Sequence, residues 1–172
     1  MTTLETERVI LREFTVADAE FILKLLNEPS FIQNIGDRGV RSVFDAEGYL
    51  ERGPIASYAK NGFGLLAVVS KETGKMMGMC GLIKRETLED VDIGYAFLPQ
   101  FWSRGFAVEA ARRVVEFAQE TLGLTRIVAI VDPKNSGSIR VLERIGLAYE
   151  KMIRLSADDI ELKLYARQLR QE

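Results

Sequence analysis

Residues 102–107 read Trp-Ser-Arg-Gly-Phe-Ala and have the residue types of an anion-binding turn. Gly105 lets the backbone approach a ligand closely and tolerates unusual φ angles. The helix predicted after it begins with unpaired N–H groups at the positive end of its dipole. These features favour a phosphate or pyrophosphate site, to which Arg104 adds a charge-assisted contact. The alternative is an ordinary strand-to-helix loop in which Gly105 only turns the chain.

Four other side chains are candidates for chemistry. Asn135 and Ser138 offer an amide and a hydroxyl at the start of a short helix, although both residue types also serve as plain helix caps. Asp92 belongs to the strand that leads to residues 102–107, and it faces either a cleft or the solvent side of the sheet. Cys80 has apolar neighbours, which favours a buried, inert thiol over a nucleophile.

Composition limits the kind of chemistry and the kind of partner. The sequence contains no histidine, which excludes Ser-His-Asp and Cys-His hydrolases and His-ligated zinc sites. A net charge of -2 and a pI of about 5.4 argue against a nucleic-acid partner. No apolar run approaches the roughly 20 residues of a membrane helix, and the charged N-terminus lacks a signal-peptide segment. The single cysteine excludes an internal disulfide, so a cytoplasmic location is expected.

Apolar periodicity predicts the elements that position these groups. In chain order they are a strand at 8–14, a helix begun by Thr15, a second helix interrupted at 53–54, a hairpin around Gly74, a strand over 89–98, a long helix after Gly105, a strand at 126–131, a short helix stopped by Gly146, and a closing hairpin whose second arm alternates Ile160, Leu162 and Leu164. Residues 1–172 are therefore expected to form one domain of the α/β (α+β) class, a mixed central sheet flanked by helices.

Four stretches together resemble the GNAT N-acetyltransferase family, and within it the branch of ribosomal-protein alanine and serine N-terminal acetyltransferases. The stretches are LETERVILREFTVADAEFILKLLNEPS, KETGKMMGMCGL, DIGYAFLPQFWSRGFAVEA and NSGSIRVLERIGL. They look like the family's opening strand and helix, its central hairpin, its acetyl-CoA motif and its Asn-x-x-Ser segment, in that order. The resemblance covers nearly the whole chain and implies the single-domain GNAT fold.

The resemblance implies that acetyl-CoA is the co-substrate and that no metal is used. The backbone amides of 103–107 would hold the pyrophosphate, with Trp102 as a rigid wall beneath them. The strand backbone near Phe97 and Leu98 would pair with the pantetheine arm, which Asn135 would also bind. The expected coenzyme-binding residues are Phe97, Leu98, Trp102, Ser103, Arg104, Gly105, Phe106, Ala107, Asn135 and Ser138.

The implied reaction is direct attack of a primary amine on the acetyl thioester in a ternary complex, with no acyl-enzyme. Asp92 is the candidate base, acting with a water molecule. Many family members carry a tyrosine that protonates the departing thiolate, and the matching position here is Leu142. Ser138 is therefore the nearest hydroxyl candidate for that role.

The acceptor is the least determined part of the prediction. The branch implies a protein N-terminal α-amine, whereas other relatives modify polyamines, amino acids or antibiotics. The region 31–58 and the closing hairpin are expected to form the acceptor pocket, and Asp37, Arg38 and Arg41 either line it or form a solvated turn. A catalytically silent acyl-CoA-binding module and a ligand-free scaffold domain are the alternative functions. Homodimers are common among the relatives, and nothing in the sequence decides the oligomeric state.

Overall fold

The computed structural model describes residues 1–170, which are built around one eight-stranded sheet with strand order β1-β2-β3-β4-β5-β6-β8-β7. The strands are β1 Thr3–Glu5, β2 Val9–Glu13, β3 Leu65–Ser70, β4 Met76–Ile83, β5 Asp92–Phe97, β6 Arg126–Val131, β7 Ala148–Ile153 and β8 Leu162–Gln168. Neighbouring strands are antiparallel except β5 and β6, which run parallel. The mixed sheet predicted from the sequence is thereby confirmed.

Helices cover both faces of this sheet. They are α1 Ala19–Leu26, α2 Pro29–Asn34, α3 Val43–Leu50, α4 Ala56–Asn61, α5 Phe106–Glu120 and α6 Ser136–Arg144. One buried cluster joins α5 and α6 to the sheet through residues such as Ile93 and Val114, and a second joins α1 and α3 through residues such as Leu50 and Leu98. Each helix contributes one apolar face to these layers, as the 3.6-residue periodicity requires.

The sheet opens between its two parallel strands. Asp92 of β5 aligns with Val128 of β6, and in the described chain this is the only register pair between them. β5 otherwise pairs along its length with β4, and β6 pairs along its length with β8. We call the opening between residues 93–97 of β5 and 129–131 of β6 the strand gap. It extends from the Asp92–Val128 pair towards the carboxyl ends of both strands, which the 102–107 turn and α6 follow in the chain.

Several local predictions differ from the observed elements. The strand β1 and the helix α2 are not among the elements predicted from the sequence. The interruption predicted at Gly53-Pro54 is a π-helical turn, Glu51–Ile55, that joins α3 to α4 without a break. Such a wider turn accommodates a proline that lacks an N–H and crowds the preceding turn. Ile160 lies outside β8 and is exposed. The helices of residues 1–170 include none with the length and apolar character needed to cross a membrane.

Candidate functional site

The 102–107 turn presents a run of free backbone donors. Ser103 has φ 59° and Gly105 has φ 83°, so the chain passes twice through the left-handed region before α5 begins. Within residues 1–170, the N–H groups of 103–108 have no hydrogen-bond acceptor. These donors converge with the helix dipole, which is the arrangement that binds phosphate groups.

Two arginines flank the turn. The Arg104 guanidinium lies 5.1 Å from the Phe106 ring centroid, and that of Arg8 lies 4.2 Å from it. Arg8 is also held by Glu109, whose Oε1 accepts from its Nε at 2.8 Å. Arg104 is predictable from the motif in the sequence, whereas Arg8 is not, because no local motif connects the residue before β2 to a helix start about a hundred positions later.

Trp102 joins the turn to the end of β5. Its indole Nε1 donates to Phe97 O at 2.9 Å, and its side chain is half exposed. The ring therefore holds the turn against the strand, and the wall role expected of it stays a prediction. Both backbone polar groups of Leu98 are already paired. Its N–H donates to Met77 O of β4 at 3.0 Å, and its carbonyl accepts from the N–H of Phe101.

The backbone of β5 alternates between its two neighbours. The N–H of Leu98 donates to β4, so the backbone N–H and C=O groups of the even-numbered residues of β5 point towards β4. The backbone N–H and C=O groups of the odd-numbered residues point towards the strand gap. Tyr95 and Phe97 thus direct backbone polar groups into the gap. Of the two strand residues predicted to bind a pantetheine arm, Phe97 faces the gap, whereas Leu98 has both backbone groups paired elsewhere.

Asp92 lies at the closed end of the strand gap and is almost completely buried. Arg85 donates from Nε to Asp92 Oδ1 at 3.2 Å. Burial raises the pKa of Asp92 to about 6, even though the positive charge of Arg85 favours the ionised carboxylate. The carboxylate is therefore ionised at neutral pH and can still accept a proton.

Asn135 and Ser138 begin helix α6 on the far side of the gap. Asn135 Oδ1 accepts from Ser138 N at 3.2 Å, so Asn135 is the N-cap that one reading of the sequence expected. The Tyr95 hydroxyl lies 2.7 Å from Ser138 Oγ and donates to Ser138 O at 2.9 Å. No sequence pattern predicts a contact for Tyr95, because its partner Ser138 belongs to another element. Leu142 is buried in the core.

Asp92 and the Tyr95–Ser138 pair flank the gap from opposite faces of the sheet. The odd-numbered residues Ile93 and Phe97 pack with the α5 cluster, whereas the even-numbered Ala96 packs with the α1–α3 cluster. By strand alternation, Asp92 lies on the α1–α3 face and Tyr95 on the α5/α6 face. A molecule held in the gap would meet a proton acceptor on one face and hydroxyl groups on the other.

Other candidate residues have structural roles. Cys80 is fully buried, and burial raises the pKa of its thiol far above the ordinary value, which confirms the expectation of an inert thiol. Asp37 and Arg41 form an exposed ion pair in the turn before α3, with Gly39 N donating to Asp37 Oδ1. This is the solvated turn that the sequence left open as one alternative.

Comparisons with known proteins bear on this geometry. A family model described as the Acetyltransferase (GNAT) domain matches residues 8–148. YoaA of Bacillus subtilis (strain 168), an uncharacterized N-acetyltransferase, is 30% identical over 152 residues, covering 88% of this chain and 85% of that protein. YkkB of the same strain, an uncharacterized protein, is 37% identical over 95 residues, and that match spans 54% of this chain and 55% of YkkB.

Solved structures share the whole architecture. The acetyltransferase from Agrobacterium tumefaciens str. C58 has a TM-score of 0.83 at 28% identity, covering 98% of this chain and 95% of that one. RimL, a ribosomal L7/L12 α-N-protein acetyltransferase in complex with coenzyme A, has a TM-score of 0.84 at 16% identity, covering 98% of each chain. At that identity the likeness to RimL shows the fold alone.

Proposed function

The chain belongs to the GNAT acetyltransferase family, and on this basis we propose that it transfers the acetyl group of acetyl-CoA to the α-amine of a protein N-terminus. Membership makes it an acetyl-CoA-dependent N-acetyltransferase. The acceptor class and the residues that bind each part of the coenzyme are our proposal.

The run of free N–H groups at the mouth of the strand gap carries this proposal. The amides of 103–107 bind the pyrophosphate, and Arg104 adds positive charge. The pantetheine arm, whose amides resemble a peptide, enters the gap and pairs with the backbone of Phe97 and Tyr95, while Asn135 and Ser138 line the side formed by α6. The coenzyme A complex of RimL, which has this fold, supports a coenzyme in such a site.

The reaction then uses the two faces of the gap. The amine approaches from the face of Asp92, loses a proton to that carboxylate directly or through water, and attacks the thioester carbonyl carbon. The C–S bond breaks and its electron pair goes to sulfur. The new amide nitrogen releases its second proton to solvent, and the thiolate leaves on the face of Ser138 and takes a proton from solvent. Holding both reactants in one site is the largest contribution, on the order of 7–11 kcal/mol at best.

The proton balance favours an α-amine over a lysine side chain. At pH 7, neutralising an α-amine with a pKa near 8 costs about 1.4 kcal/mol, whereas a lysine near 10.4 costs about 4.6 kcal/mol. Asp92, with a pKa of about 6, suits the smaller cost. Small amines such as polyamines, amino acids or antibiotics are the alternative acceptors. A silent acyl-CoA-binding module is the alternative function.

A thiol-release assay with acetyl-CoA tests the proposal. The matched acceptors are one peptide with a free N-terminus and no lysine, and the same peptide with a blocked N-terminus and one lysine added. We expect thiol release with the first and none with the second. Faster release with a polyamine or an amino acid would move the acceptor to small molecules. Binding of coenzyme A without release for any amine would favour the silent module.

Three further expectations stay predictions. They are a cytoplasmic location, the absence of a nucleic-acid partner, and the oligomeric state, for which the alternatives are a monomer and a homodimer. Size measurement in solution tests the last of these directly.

A further inference from the structure

Tyr95 links β5 to helix α6 across the strand gap, on the face of the sheet that α5 and α6 cover. Its backbone belongs to β5, while its hydroxyl contacts the first turn of α6 through Ser138 O at 2.9 Å and Ser138 Oγ at 2.7 Å. Tyr95 lies about 10 Å along β5 from Asp92, towards the 102–107 turn. An arm that runs from that turn towards Asp92 must pass this contact.

We propose that Tyr95 is a positioning residue for the leaving thiolate, because it holds the Ser138 hydroxyl at the gap where that hydroxyl donates to the sulfur as the C–S bond breaks. This inference rests on the proposed function. Three contacts support it. Ser138 N donates to Asn135 Oδ1, and its carbonyl and hydroxyl oxygens both lie within hydrogen-bond reach of the Tyr95 hydroxyl. The serine is thus fixed from both the helix and the strand.

The electrostatics favour positioning over proton donation. Tyr95 is partly buried, and burial raises the pKa of its phenol well above the ordinary value. A thiol has a pKa near 8.5, so net transfer of the phenolic proton to a thiolate is unfavourable. Tyr95 therefore keeps its proton and donates it to Ser138 O, while the Ser138 hydroxyl donates to the phenol oxygen. This pair of contacts holds Ser138 Oγ in place, and its proton turns from the phenol oxygen to the sulfur as the C–S bond breaks. The thiolate retains the electron pair and takes its own proton from solvent.

A titration of bound coenzyme A tests this without any acceptor. The ultraviolet absorbance of the thiolate, followed against pH, gives the pKa of the bound thiol. In the wild-type protein we expect this pKa to lie below that of free coenzyme A. Tyr95→Phe should raise it by about half a unit to one unit, the effect of one hydrogen bond, and Ser138→Ala by at least as much.

Tyr58 provides the matched control. It is also a partly buried tyrosine, with its hydroxyl accepting from Phe14 N at 3.0 Å and donating to Leu65 O, and it lies outside the strand gap. Tyr58→Phe removes a comparable pair of hydrogen bonds and should lower stability while leaving the pKa of the bound thiol unchanged. An unchanged bound-thiol pKa in Tyr95→Phe would overturn the inference, as would an equal shift in Tyr58→Phe.

Kinetics with the acceptor found by the thiol-release assay give a second measurement. Tyr95→Phe should lower kcat by about tenfold and change the KM for acetyl-CoA by less than about twofold. Because Tyr95 acts through Ser138, the double variant with Ser138→Ala should be no slower than Ser138→Ala alone. Multiplicative losses would contradict this dependence. If wild type acetylates no amine, the proposed function fails, and the thiol titration still decides the contact between Tyr95, Ser138 and sulfur.

Discussion

Asp92 shows how the environment of one carboxylate determines what it can do. Its neighbours in sequence, Glu89 and Asp90, belong to the loop before β5, whereas Asp92 is almost fully buried within the strand. Burial raises its pKa, and the Arg85 Nε contact at 3.2 Å limits the rise to about 6. Aspartate is therefore a surface charge in the loop at Asp90 and, in our proposal, the base beside the gap at Asp92.

The pH dependence of the reaction follows from this pKa. The carboxylate must be ionised to accept a proton, so kcat/KM should fall as the pH decreases through about 6. Asp92→Asn should lower kcat by at least about a hundredfold and remove that acidic limb. Asp90→Asn is the control, because Asp90 pairs with Arg126 at the surface and should keep the wild-type profile. An unchanged profile in Asp92→Asn would exclude Asp92 as the base.

Stability should respond in the opposite direction. The folded pKa of Asp92, about 6, lies above the unfolded value of 3.8, so folding favours the protonated carboxyl. This contribution is fully present below about pH 4 and is lost as the pH rises through about 6. Asp92→Asn should therefore stabilise the fold at pH 7, by up to about 3 kcal/mol, and change it little at pH 4. Denaturant unfolding at the two pH values measures the difference.

The two arginines beside the turn differ in their ion pairing. Arg8 is paired with Glu109, whereas Arg104 has no acidic partner within 4 Å among residues 1–170. Arg104→Gln should weaken coenzyme A binding by about tenfold, the value of one charge-assisted hydrogen bond. Arg113→Gln, which removes a partly buried arginine paired with Glu116 further along α5, should leave the dissociation constant unchanged. Equal effects would indicate a general charge effect.

At the scale of elements, the turn and the first residues of α5 act as one unit. Gly105 adopts φ 83°, and a Cβ added there would lie 3.2 Å from the Arg8 guanidinium. The left-handed φ is strained for a residue with a Cβ and therefore favours a different backbone path at the N–H groups of the turn, and the Cβ contact would displace the Arg8 side chain. The helix α5 is amphipathic, with Ala110, Ala111 and Val114 buried on its apolar face.

Gly105→Val should raise the dissociation constant for coenzyme A by more than about a hundredfold. The left-handed φ is strained for a β-branched residue by about 1–3 kcal/mol, so the turn rearranges. Gly123→Val at the other end of α5 is a matched control, since Gly123 has φ 66° and open space around its Cβ position. Quenching of Trp102 fluorescence measures both affinities. Wild-type affinity in Gly105→Val would count against the turn as the phosphate site.

At the scale of the whole molecule, the split in the sheet connects the two halves of the fold. β5 belongs to the antiparallel half through β4, and β6 belongs to the other half through β8, with a single register pair between them. The helices α5 and α6 close this opening on one face only. An arm with amide groups, bound in the gap, would form hydrogen bonds with backbone groups of the two strands that do not pair with each other.

Coenzyme binding should therefore stabilise the whole domain. At about one hundred times its dissociation constant, coenzyme A should contribute about 2.7 kcal/mol, which corresponds to about 5–10 °C in Tm for a protein of this size. Thermal unfolding with and without ligand measures the shift. Adenosine, which lacks phosphates and the arm, should have little effect, and the same shift with adenosine alone would contradict the proposed binding mode.

The sequence by itself determined most of the elements, the fold class and the position of the 102–107 turn before α5. Strand alternation, helix periodicity and the residue types at 102–107 are local, so they are readable without contacts. The same locality explains two errors: Pro54 predicts a break when considered alone, and Ile160 extends an alternating pattern beyond the end of β8.

Only the tertiary structure decided which polar groups meet. The pairing of Tyr95 with Ser138, the contact of Arg8 with the turn and the commitment of Leu98 to β4 depend on packing between distant segments. It also decided that Asp92 is buried, which the sequence left evenly balanced. The physical reason is that periodicity gives the spacing of side chains along one element, whereas burial and hydrogen bonding depend on the neighbour that packs against it.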